Sequence, residues 1–378
     1  MQARHGITLF LLFLSLGTAH RAWAYPEYRV TVVAPANSSA TDINEDGVVV
    51  GSYPFSTTSV HAFLNRGKGL VDLGALRGTA SSAVAINDKC QVLGHWFTSA
   101  GQQRGFIYYR GTARDIGVNA GFLTTYSDIN NDGYITAYGT VPDSFAGPHG
   151  FLRSPGGTFR DIGSLPFDNP MTFAYALNNY KQITGASGPL LFPDQPLRAF
   201  NWSRGVFRDL GDFGTEPNAG RAINDRGEST GYAALVTGFR DRHAFLYSGG
   251  RLSDIDGRPG TEDSSSEGTG INNHGHVVGN SNHLSGFVYR GKRMQSLNAL
   301  IDPARGWDIR FPQAINDAGQ IAATAFRSGV QYAVRLDLIR PLALKAEGLE
   351  LAAKAATEAE SKADADAQAR EVVQAVKQ

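Results

Sequence analysis

Apolar and polar residues alternate along this chain in runs too short for helices, and the runs end at regular intervals in Ile-Asn or Leu-Asn. The third occurrence shows the unit. Ser127-Asp128-Ile129-Asn130 leads through Asn131-Asp132-Gly133 into Tyr134-Ile135-Thr136-Ala137-Tyr138. Two strand-like runs around an Asn/Asp-Gly turn predict a β-hairpin. The pair recurs at Ile43-Asn44, Ile86-Asn87, Ile129-Asn130, Leu177-Asn178, Ile223-Asn224, Ile271-Asn272 and Ile315-Asn316, about 45 residues apart. A period of that length means one supersecondary unit repeated.

Each unit predicts four strands. The hairpin glycine is present at Gly47, Gly133, Gly227, Gly275 and Gly319, whereas Cys90 and Lys181 replace it elsewhere. In those two copies the turn must differ or be strained. Cys90 itself reads as a small buried or strand residue. Seven residues after each asparagine the position is small: Gly51, Gly94, Ala137, Gly185, Gly231, Gly279 and Ala323. Small residues inside strands signal close approach of another backbone. The third strand carries its own mark, from His61-Ala62-Phe63 and Arg104-Gly105-Phe106 to Ser285-Gly286-Phe287 and Tyr332-Ala333-Val334. The connection before it varies in length, which maps to one face of an array. A fourth strand reads Val71-Asp72-Leu73-Gly74 and Arg208-Asp209-Leu210-Gly211. It weakens to Gln295-Ser296-Leu297-Asn298 in the sixth copy and is missing from the seventh. A strand of that type, Tyr28 to Val33, stands before the first copy instead.

An open array would expose strand edges, and radial closure removes them. The expected fold is therefore all-β: a seven-bladed β-propeller of four-stranded antiparallel blades over residues 25–341. Two registers are open at this point. Either the N-terminal strand completes the seventh unit and seals the ring, or the fourth-type strand opens each blade and nothing is exchanged.

The two ends fall outside the repeat. In residues 1–24, Arg4 and His5 precede an apolar run from Ile7 to Leu16, and Ala22-Trp23-Ala24 fits a small-x-small cleavage site. This predicts a secretory signal peptide and a mature chain from Tyr25. Residues 342–378 are rich in alanine and pair Glu350 with Lys354, Glu358 with Lys362 and Asp366 with Arg370 at i,i+4. They predict a helical or partly disordered tail, with a helix from about Leu349 after a break at Gly348 that is solvated or self-associating rather than a membrane anchor.

The motif Ala-Ile-Asn-Asp at Ala85–Asp88, Ala222–Asp225 and Ala314–Asp317, combined with His61-Ala62-Phe63 and His243-Ala244-Phe245, resembles the HAF family of extracellular repeats. The resemblance covers roughly residues 28 to 338. It implies an extracellular location and carries no activity or catalytic residue. Ser285 and Tyr332 to Val334 depart from the motif.

Charge and chemistry add exclusions. Lys plus Arg equals Asp plus Glu, 35 each, so no electrostatic case exists for nucleic acid or an anionic membrane. The one cysteine excludes an intramolecular disulfide. Asp42-Ile43-Asn44-Glu45-Asp46-Gly47 and Asp128-Ile129-Asn130-Asn131-Asp132-Gly133 read as the first half of a calcium loop. Outer acids are missing, since Val50, Tyr53, Thr136 and Gly139 stand there. The expectation is no metal and no cofactor, with calcium as the competing reading. His61, Arg104, His149, Arg198 and His243 recur in five successive units. They read either as an anion- or metal-binding arc or as a bond each blade makes for itself; repetition favours the second. No nucleophile elbow, zinc pair or phosphate loop is present, so the catalytic residues are unknown. The expected function is a secreted or periplasmic non-enzymatic scaffold binding a protein or glycan. The alternative is a carbohydrate-active hydrolase or lyase with acids at one end of the channel.

Overall fold

The computed structural model describes residues 26–118, 123–140, 147–190, 196–235, 241–258 and 265–339. Residues 1–24 and 342–378, read above as a signal peptide and a helical tail, lie outside them. Seven four-stranded antiparallel sheets form the blades of a propeller. The strands that end at the repeated Ile/Leu-Asn are innermost: Ser39–Ile43, Ala80–Ile86, Leu123–Ile129, Pro170–Leu177, Asn218–Ile223, Ser266–Ile271 and Trp307–Ile315. Together they wall a central channel. Blade 7 continues through Ile321–Arg327 and Val330–Leu338, and Tyr28–Ala36 pairs antiparallel on its outside. That settles the open register: the N-terminal strand is exchanged and seals the ring.

The small positions are explained by crowding within the blade. Gly51, Gly94, Gly185, Gly231 and Gly279 each lie directly opposite the third-strand phenylalanine: Phe63, Phe106, Phe200, Phe245 and Phe287. A Cβ at Gly185 or Gly231 would fall on an inner-strand carbonyl oxygen, of Phe173 or Ala219. These phenylalanines are fully buried. The middle position of the motif is small because the next blade's inner strand packs on it. A Cβ at Gly105 would meet the Tyr126 ring, and one at Gly286 the Ile309 carbonyl. The blades thus share their cores, with burial of apolar surface as the dominant favourable term.

Each inner strand contains a register shift just before its asparagine. A β-bulge adds one residue on one strand and re-aims a side chain. The bulged residues are Thr41, Val84, Ser127, Tyr175, Arg221, Thr269 and Gln313, and all seven line the channel. Among the described residues, helical structure is limited to 3-10 turns at Leu297–Ala299 and Pro303–Arg305. No helix among them is long and apolar enough to cross a membrane.

Candidate functional site

Where the inner strands finish, the seven repeated asparagines close the channel wall into a ring. Each side-chain Oδ1 accepts the backbone N–H four residues on, at 2.9 to 3.0 Å, which fixes its own turn. Each Nδ2 donates to the backbone carbonyl of the next blade's asparagine. The series runs Asn44 to Asn87, Asn130, Asn178, Asn224, Asn272, Asn316 and back to Asn44. A second ring lies beside it, built from the residue after each asparagine. Glu45 N–H donates to Asp88, Asp88 to Asn131, Asn131 to Asn179, Asn179 to Asp225, Asp225 to Asn273, Asn273 to Asp317, and Asp317 to Glu45. The asparagine column was legible as a turn feature, but its inter-blade half was not.

Inside these rings lies a cavity of about 300 Å³. Asp42 and Asp128 line it, in a column where the other blades carry Ala85, Ala176, Ala222, Gly270 and Ala314. Asp42 accepts the N–H of Ile43 and of Ile86 in the next blade, both at 2.8 Å. Asp128 accepts those of Ile129 at 2.7 Å and Leu177 at 2.9 Å. Both residues are half-buried in the channel wall. Burial pushes the Asp42 carboxyl up to about 8, with the charge of Asp128 adding to the shift. Burial likewise pushes Asp128 up to about 7. The two half-loops read above as calcium turns therefore spend their first oxygen ligands on backbone donors: Asp42 and Asp128 clasp adjacent blades, and Asn44 and Asn130 hold their turns.

The bulge column is where the repeat breaks. Blades 1, 2, 3, 6 and 7 place Thr, Val, Ser, Thr and Gln there, whereas blades 4 and 5 place Tyr175 and Arg221. The Arg221 guanidinium lies 4.7 Å from the Tyr175 ring centre and 5.5 Å from that of Tyr232. Arg242 lies 4.5 Å from the Tyr232 ring. Glu267 joins both arginines, at 2.6 Å to Arg221 and 3.0 Å to Arg242. Tyr138 stands edge-on to Phe173 and Tyr175. Burial pushes the Tyr175 hydroxyl up to about 12. No short motif marks this sector. Its signal was the variability of one column between invariant ones.

The five recurring basic residues do not form an arc that shares a ligand. Each is bound inside its own blade to the aspartate of the fourth strand: His61 to Asp72 at 3.0 Å, Arg104 to Asp115 at 2.7 Å, His149 to Asp161 at 2.6 Å, Arg198 to Asp209 at 3.0 Å and His243 to Asp254 at 2.7 Å. The same aspartate accepts the N–H two residues on, as at Gly74, Gly117, Gly163 and Gly211. The motif pins the outer strand of these five blades.

No family model matches the chain, and no curated protein matches it in sequence. Solved structures similar to it include an acylaminoacyl peptidase of Pyrococcus horikoshii, at 10% identity and TM-score 0.49, over 84% of this chain and 55% of that one. YCF48 bound to D1 peptide is similar at 9% identity and TM-score 0.49, over 83% and 97%. TolB from Acinetobacter baumannii is similar at 9% identity and TM-score 0.42, over 76% and 63%. The chain thus spans less than two thirds of that TolB. No residue role passes from them to this chain.

Proposed function

We propose that this propeller is a non-enzymatic binding scaffold, secreted or periplasmic, that engages a protein or glycan ligand. One observation carries the reading. The channel acids that could form a catalytic pair, Asp42 and Asp128, hold both their oxygens on backbone N–H groups of adjacent blades. The repeated residues serve the frame, and variation is left to the bulge column and the strand connections. The apolar run from Ile7 to Leu16 and the Ala22-Trp23-Ala24 site support export. The likeness to HAF repeats supports an extracellular setting.

A second reading has its own support. Carboxyls held near neutrality in a cavity suit general acid–base work, so Asp42 and Asp128 are the acids a glycosidase reading would use. The test sets the purified chain, immobilised, against a polysaccharide panel and against culture supernatant. Retention of a polysaccharide or protein without new reducing ends is expected. Release of reducing ends by the native chain, lost in Asp42→Ala or Asp128→Ala, would overturn the scaffold reading.

A further inference from the structure

The channel wall of blades 4 and 5 differs from the rest of the ring in a way the fold does not require. Five blades fill the bulge position with Thr, Val, Ser, Thr and Gln, so the ring closes without a tyrosine or arginine there. Tyr175 and Arg221 line the cavity, and Tyr138, Tyr232, Arg242 and Glu267 are packed behind them. Unsatisfied groups gather in the same arc. Among the described residues, the buried side-chain polar atoms without a hydrogen-bond partner all belong to blades 3, 4 and 5. Three of them, on Asn218, Asp241 and Arg242, sit at the strand ends of blade 5. Native structures keep few such groups, and each one asks for an explanation.

Resting on the binding-scaffold reading, we infer that this wall is a glycan subsite: Tyr175 and Arg221, backed by Tyr232, Arg242 and Glu267, take the end of a neutral oligosaccharide that enters the channel. The chemistry selects that class. Sugar hydroxyls donate and accept at once, and the cavity presents Arg221 donors on a wall whose rim carries the carboxylate acceptors Glu45, Asp88, Asp225 and Asp317. Tyr175, which lines the cavity, adds a hydroxyl that both donates and accepts. An anionic sugar is disfavoured, because Glu267 already pairs with both guanidiniums and the cavity is rimmed by Glu45, Asp88, Asp225 and Asp317. A cationic ligand would need a free carboxylate on this wall, and Glu267 is already paired with Arg221 and Arg242. The cavity stands at the lower end of ligand-pocket sizes, which suits a chain end rather than a bulky partner.

The experiment is saturation-transfer NMR and calorimetric titration of the full chain with cello-, malto-, xylo-, chito- and manno-oligosaccharides, with oligogalacturonate as the acidic probe. At least one neutral oligomer should bind saturably. Tyr175→Thr and Arg221→Thr use a residue that sister blades accept at this position, and each should weaken binding about tenfold or more while the melting transition persists. Val206→Thr, on an exposed outer strand, should leave binding unchanged. The inference is overturned if no neutral oligomer binds, if only oligogalacturonate binds, or if both channel variants bind like the native chain. Protein capture without any glycan binding would remove this subsite and leave the scaffold reading standing. Cleavage of a bound oligomer, with binding weakened by both variants, would keep the subsite and remove the scaffold reading.

Discussion

Cys90 and Lys181 answer the question left by their missing glycine. The turn does not change; the backbone does, with φ of 56° and 61° against 72° to 79° at the five glycines. Cys90 is thus a half-buried turn residue rather than a buried or strand residue. A left-handed non-glycine costs about 1–2 kcal/mol, and a glycine returns about 0.5–1 kcal/mol of that as chain entropy. Cys90→Gly also gives up the side chain's packing against the neighbouring core and the Asn44 contact at its sulfur, so it should fall between neutral and about 1 kcal/mol more stable. Lys181→Gly should be near neutral, because it also loses the ammonium seated 4.5 Å from the Tyr134 ring centre, worth about 0.5–1 kcal/mol. Urea midpoints of the two variants, compared with the native chain, check both. The channel aspartates give a second residue-scale prediction. Their folded pKa values lie above the unfolded ones, so the folded state binds more protons, and stability falls as pH rises through that window. His95 works the other way: burial holds it at about 4, its Nε2 accepts the Tyr126 N–H, and its stabilisation is lost below about pH 6.5. Above that pH the aspartates act without it. Between pH 6.5 and 8 the native chain should lose at most about 1.4 kcal/mol per unit per carboxyl, less where channel water screens it. Asp42→Ala should flatten the slope and Asp128→Ala should reduce it. Equal slopes in all three proteins would show that these carboxyls ionise normally.

At the scale of the element, hairpins, small positions and the strand order within a blade were legible because each rests on local rules: an Asn/Asp-Gly turn, a period of two, a glycine where backbones meet. The bulge was not. A period-two reading assumes an unbroken ladder, and one inserted residue is decided by the opposing strand, which the sequence does not pair for the reader. Tyr175 and Arg221 therefore passed as ordinary strand residues, although they are the side chains that the bulge turns into the channel. The sequence places each asparagine at a hairpin turn, which its Oδ1 does hold, but its Nδ2 reaches a blade that lies more than 40 positions away. The calcium reading also belongs here. In a metal loop the first, third and fifth side chains converge on one ion. In these hairpins the first and third are held apart by different backbone donors. Chelation should leave the thermal midpoint unchanged, since an ion bound only by the folded state must raise it by mass action. A drop of several degrees in EDTA, restored by calcium, would revive the metal reading.

For the molecule as a whole, the decisive contact is the one that joins its ends. Tyr28–Ala36 lies along Val330–Leu338, with Tyr28 opposite Leu338 and Val32 opposite Val334. The same seam is crossed in the channel by Asn316 to Asn44 and by Asp317 to Glu45. Removing residues 26–36 takes away a whole strand and leaves Val330–Leu338 as a long unpaired edge. Exposed edges of that kind recruit other chains, so the truncated protein should aggregate or lose its cooperative melting transition. Loss of fold alone would not show that the strand's place in the ring is what matters, because any truncation can destabilise. A permutant separates the two. Tyr28 faces Leu338 in an antiparallel pair, so the geometry is that of a hairpin missing only its turn. Starting the chain at residue 37 and joining residues 28–36 after 338 through an Asn-Gly turn should rebuild blade 7 with its native pairing. That protein should melt cooperatively as a monomer within a few degrees of the parent. If the permutant fails where the parent folds, the N-terminal strand does more than complete a sheet. If the simple truncation melts like the parent, the ring does not need its seventh outer strand at all.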